Sequence, residues 1–162
     1  MSGKNNFDIN YSNFTKESYD AKKYAYVSDV CRLYDLYNYG GIYLDTDILI
    51  NGDFNKLLNN KVFIGFVFET TAVIGSEKEN QVIEELLGGY QSLTLQTAPV
   101  NNNELFTKFF LEQSDFKLNN KEQLINCGVH IYPKETFEMP SFKRGANYST
   151  HISFGSWSTY KY

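Results

Sequence analysis

The chain has 162 residues, 42% of them hydrophobic and 17% aromatic, with 13 Tyr and 13 Phe. It is long and apolar enough to bury one core, which excludes a disordered or low-complexity segment. A formal net charge of -4 with scattered Lys and Arg excludes a binder of nucleic-acid backbones, because that affinity comes from clustered cations; any phosphate handled here calls for a metal ion.

Residues 16–39 place Val27, Val30, Cys31, Tyr34 and Tyr37 at helical spacing, and Gly40 follows where a helix end favours a residue of positive φ. Residues 42–50 are apolar apart from Asp45, Thr46 and Asp47, and read as a buried strand interrupted by a polar segment. A short helix or turn over 54–60 and a core strand over 62–68 come next. Helices are predicted over 81–90 and over 102–112, the second with a stripe of Leu105, Phe106, Phe109 and Phe110. Short strands are expected around Leu124 and over 129–132, and the tail 148–158 is rich in Ser, Gly and aromatics. With no internal repeat or linker, 1–162 reads as a single domain. Alternating strands and helices predict an α/β architecture with a mainly parallel sheet and ligands at the strands' carboxyl ends, where Asp45 and Asp47 fall.

Cys31 and Cys127 lack metal-ligand spacing and read as reduced and structural. No apolar run has bilayer length and residues 1–10 are polar, so the chain reads as soluble.

In an extended segment, residues two apart share a side and differ by roughly 7 Å along the strand, so Asp45 and Asp47 would face one space. Hard cations such as Mg²⁺ and Mn²⁺ bind through one or two carboxylates plus substrate phosphates and water. A cation held there neutralises a departing diphosphate as a Lewis acid. An Asp-x-Asp alone is weak evidence, but a pair following an apolar strand is costly to bury unless paired or metal-bound. Asp29 and Arg32, at i and i+3, share a helix face. They are either a plain surface ion pair or a group in which Asp29 accepts from sugar hydroxyls while Arg32 orients it or contacts a donor directly.

Two segments together, Ala25-Tyr26-Val27-Ser28-Asp29-Val30-Cys31-Arg32 and Gly40-Gly41-Ile42-Tyr43-Leu44-Asp45-Thr46-Asp47, resemble glycosyltransferase family 32. That family has a DXD motif and includes transferases of capsular polysaccharide synthesis. A looser likeness runs from Thr97-Ala98-Pro99 to Gly155-Ser156-Trp157. The resemblance implies a GT-A-like, Rossmann-like fold, a nucleotide-sugar donor, Mn²⁺ or Mg²⁺, and retention of anomeric configuration. It assigns catalytic roles to Asp29, Arg32, Asp45 and Asp47, donor contacts to Ser28, Gly41, Tyr43, Ser156 and Trp157, and metal ligation to Asp45, Asp47 and His151. A loop role for His151 and a packing role for Trp157 are the alternatives. Relatives begin with an apolar strand that Met1-Ser2-Gly3-Lys4-Asn5-Asn6 does not match, so the resemblance implies an N-terminally truncated version of the fold. The expected partners are a nucleotide-sugar donor, UDP-hexose first, and a saccharide or lipid-linked saccharide acceptor. The expected location is cytoplasmic, with peripheral association at the inner membrane face.

Two other functions fit parts of the pattern. One is a non-catalytic nucleotide-sugar-binding remnant. The other is a phosphatase with Asp45 as nucleophile, against which stand Leu49, where such enzymes carry Thr or Val, and the lack of any Asp-Asp pair.

Overall fold

A computed structural model describes residues 7–65, 71–97, 102–138 and 148–152. The stretch expected as one helix forms two, α1 (Asn13–Asp20) and α2 (Tyr24–Tyr39). Ser12 starts α1 by accepting a hydrogen bond from the Thr15 amide. The break follows at Lys22, whose φ of 59° cannot continue a helix. Along α2 the buried positions are Asp29, Val30, Arg32, Leu33 and Leu36, so a charged pair lies on the stripe packed into the protein. Gly40 ends α2 with a φ of 66°, and a Cβ there would lie 2.8 Å from the Lys78 amide nitrogen. The glycine therefore answers both a backbone and a space requirement.

Residues 42–50, expected as one interrupted strand, divide into β1 (Gly41–Leu44) and β2 (Ile48–Ile50), which belong to different sheets. A 3-10 turn, Asn55–Asn59, leads to β3 (Val62–Ile64), and β4 (Val73–Ser76) follows. Asn80 caps α3 (Gln81–Gly89), and α4 (Asn102–Leu111) precedes β5 (Gln123–Leu124), β6 (Val129–Ile131) and β7 (Ser149–His151). Sequence reading missed β4 and β7. The first is a four-residue segment containing Gly75, and the second is a polar Ser-Thr-His triplet.

The larger sheet has the order β1-β4-β3-β6-β5, and β2 pairs with β7 in a separate two-stranded sheet. The expectation of a mainly parallel sheet is corrected here. The β1–β4, β3–β4 and β5–β6 pairings are antiparallel, and β3–β6 is parallel. Connection length accounts for the β3–β4 and β5–β6 pairings. Eight residues separate β3 from β4 and four separate β5 from β6, which follows a turn at Gly128 (φ 87°), links too short to return a chain in parallel. The β3–β6 connection carries α3 and α4, the kind of crossover that parallel pairing needs. The molecule is thus a mixed α/β structure.

Strand alternation divides the interior into two cores. Val62, Ile64, Ile74, Val129 and Ile131 face the helices and meet Val30, Leu33, Leu36, Ile83, Leu86, Phe106 and Phe110. Phe63 and Val73 face the other way and pack with Leu57 and Phe137, bordered by Ile42, Leu44, Ile48 and Tyr148. Phe63 stands opposite Gly75 across the β3–β4 pair, and its ring occupies the space a Gly75 side chain would take, with a Cβ only 2.0 Å from a ring carbon. Gly75→Ala is therefore expected to destabilise the fold by about 1–3 kcal/mol through overpacking against Phe63. A lowered urea midpoint with an unchanged denaturant slope would show it.

Candidate functional site

The Asp45-Thr46-Asp47 segment is a turn, not an extended strand. The Ile48 amide donates to the Asp45 carbonyl at 3.2 Å and the Asp45 amide to the Ala72 carbonyl at 2.9 Å. The two carboxylates therefore find different partners, which departs from the expectation that both face one space.

Asp45 turns toward α2. Alternation in β1 sends Ile42 and Leu44 to the second core and Tyr43 to the helical side. There the Arg32 guanidinium lies 4.5 Å from the Tyr43 ring centroid, a cation–π arrangement. Tyr43 Oη donates to Asp45 Oδ1 at 2.6 Å. Arg32 reaches Asp29 Oδ1 at 2.9 Å, Asp45 Oδ1 at 3.4 Å and the Thr71 carbonyl at 3.3 Å. Its Nε is buried with no hydrogen-bond partner among the described residues. Asp29 and Arg32 are only 8% and 9% exposed, so the reading of this pair as a surface ion pair is replaced by that of a buried one.

Asp47 turns the other way. β2 and β7 pair with Ile48 opposite His151, and His151 Nε2 lies 3.1 Å from Asp47 Oδ1. Backbone contacts hold β7 from both sides, with the Ile152 amide donating to the Asp47 carbonyl and the His151 amide to the Glu138 carbonyl.

The structure thus joins Asp29, Arg32, Tyr43 and Asp45 in one network and Asp47 with His151 in another, on either side of Thr46. Ser28 is exposed on α2 and hydrogen-bonds the Tyr43 phenol. Gly41 opens β1 with a φ of 103° and open space around it. Ser156 and Trp157 lie outside the described residues. Thr71 and Ala72, whose carbonyls face Arg32 and the Asp45 amide, gave no signal in the sequence because backbone atoms have no residue signature. Cys31 and Cys127 are free. Burial, then Asp35, pushes the Cys31 thiol up to about 11, which leaves it a poor nucleophile. Cys127 is exposed, contrary to its reading as structural.

No group of three or more His, Cys, Asp and Glu suited to a metal ion occurs among the described residues. The expected trio of Asp45, Asp47 and His151 is divided, since Asp45 is engaged by Tyr43 and Arg32. What remains, one carboxylate and one imidazole with a second carboxylate nearby, fits a hard cation only if substrate oxygens and water complete its shell, which is the usual habit of Mg²⁺.

This geometry meets the comparison with known proteins at the same residues. Residues 3–64 match the family model described as a glycosyltransferase sugar-binding region containing a DXD motif. The match covers well under half of the chain but includes Ser28, Asp29, Arg32, Tyr43, Asp45 and Asp47, and it supports a glycosyltransferase family. An uncharacterized protein of Arabidopsis thaliana is 29% identical over 129 residues, covering 73% of this chain and 19% of its own length. The chain thus spans about a fifth of that relative. No solved structure matches the chain.

Burial is the main influence on the Asp29 carboxyl; Arg32 opposes it, Asp45 adds to it, and the result lies at about 6, against an ordinary value of 3.8. The folded chain thus holds this proton more tightly than the unfolded chain does, and ionisation costs folded stability. The contribution of Asp29 to stability should fall as pH rises from about 4 to about 6, by on the order of 3 kcal/mol, and then level off. Urea titrations across that range should show this slope in the wild type and its loss in Asp29→Asn; equal slopes in the two would contradict the assignment.

Proposed function

We propose that this chain handles the donor in a metal-dependent glycosyltransferase. The donor is a nucleotide sugar, with a UDP-hexose the first choice. The acceptor is a saccharide or lipid-linked saccharide in polysaccharide or glycan synthesis, and transfer proceeds with retention. The observation that carries the reading is the Asp-Thr-Asp turn with Asp47 against His151, lying within the span that resembles a DXD sugar-binding region.

In this reading Asp47 and His151 hold Mn²⁺ or Mg²⁺, with Asp45 completing the acidic face of the site. A bound cation supplies Lewis-acid neutralisation of the departing nucleoside diphosphate. Asp29 accepts hydrogen bonds from donor sugar hydroxyls, while Arg32 fixes the Asp29 carboxylate at 2.9 Å. Burial of this pair lowers the local dielectric and so strengthens each of these contacts. An aspartyl-nucleophile mechanism is disfavoured because both Tyr43 and Arg32 approach the same Asp45 oxygen. No helix among the described residues is long and apolar enough to cross a membrane; peripheral work on a lipid-linked acceptor at the cytoplasmic face of the inner membrane is the setting proposed.

Calorimetric titration with UDP and with GDP, each with and without Mn²⁺, tests the reading. Binding that requires Mn²⁺ and is lost in Asp47→Ala is the expected result, and release of sugar from the matching donor is then the measure of turnover. A folded chain that binds neither nucleotide would overturn the proposal, and binding without sugar release would make it a non-catalytic remnant.

A further inference from the structure

Tyr43 stands among the donor-contacting residues implied by family resemblance, yet its hydroxyl is aimed at the protein's own carboxylate. We propose that Tyr43, backed by Arg32, is a positioning residue that fixes the rotamer of Asp45 and thereby sets the cation requirement of the site. This rests on the donor-site reading above and deepens it.

Both donors converge on one oxygen. The Tyr43 hydroxyl reaches Asp45 Oδ1 at 2.6 Å and Arg32 Nη1 reaches the same atom at 3.4 Å. No hydrogen bond holds Asp45 Oδ2 among the described residues, so the carboxylate is anchored by one oxygen and presents the other. The phenol is itself held in place. Its ring lies beneath the Arg32 guanidinium at 4.5 Å, and its flanking residues Ile42 and Leu44 are committed to the opposite core. A short hydrogen bond to an ionised acceptor is among the stronger ones available to a neutral donor. Without the hydroxyl, Oδ1 keeps only the longer contact from Arg32, and the carboxylate gains rotational freedom.

Removing an outer partner of a metal-site carboxylate typically costs 10–100-fold in metal affinity. Tyr43→Phe keeps the ring under Arg32 and deletes only the hydroxyl. In UDP titrations at graded Mn²⁺, Tyr43→Phe is expected to raise the Mn²⁺ concentration for half-saturation by about tenfold while leaving UDP affinity at saturating Mn²⁺ within about twofold. If Tyr43 acts through Asp45, Tyr43→Phe combined with Asp45→Asn is no weaker than Asp45→Asn alone, whereas independent effects multiply. A wild-type Mn²⁺ curve in Tyr43→Phe, a multiplicative double variant, or lost UDP affinity at saturating Mn²⁺ would each overturn the inference and leave the donor site standing. Absence of Mn²⁺-dependent UDP binding by the folded wild type would overturn the donor site and this inference with it.

Discussion

Arg32 is a buried cation that meets two carboxylates, a backbone carbonyl and an aromatic face within one layer of the protein. Moving a guanidinium out of water costs several kcal/mol, which is recovered only if charges and dipoles are waiting for it. Those groups come from α2 itself, from β1 and the turn after it, and from Thr71, just before β4. The ion network therefore fixes how the helix lies across the sheet at its edge. Farther along α2 the same register is kept by Leu33 and Leu36, both buried in the helix-facing core.

One cation between two carboxylates leaves the cluster with an unbalanced negative charge when all three groups are ionised. Burial, opposed by Arg32 and reinforced by the Asp45 charge, lifts the Asp29 carboxyl toward neutrality, which is the usual response of a buried acid.

Much of the local structure could be read from residue patterns. The end of α2 at Gly40, the apolar character of β3 and β6, and the extent of α3 and α4 follow from periodicity and end signals. The acidic turn was legible as a candidate site because carboxylates after an apolar strand are chemically conspicuous. What pattern could not supply was pairing. Antiparallel order in the sheet depends on β4, whose short glycine-containing segment carries little strand signal, and the small sheet depends on β7, whose residues are polar. The division of Asp45 from Asp47 was hidden for a related reason. Two residues in a strand share a side, but the Ile48 amide closes onto the Asp45 carbonyl, and that local hydrogen bond redirects both side chains.

β1 and β2 are consecutive in sequence yet belong to separate sheets, with only Asp45, Thr46 and Asp47 between them. The acidic motif is thus the covalent joint between two independently hydrogen-bonded bodies, one ending at Leu44 and the other beginning at Ile48. Asp45 travels with the large sheet and its helix, while Asp47 travels with the small ribbon through His151. The gap between the two carboxylates is consequently a property of how the sheets dock, and neither sheet determines it alone.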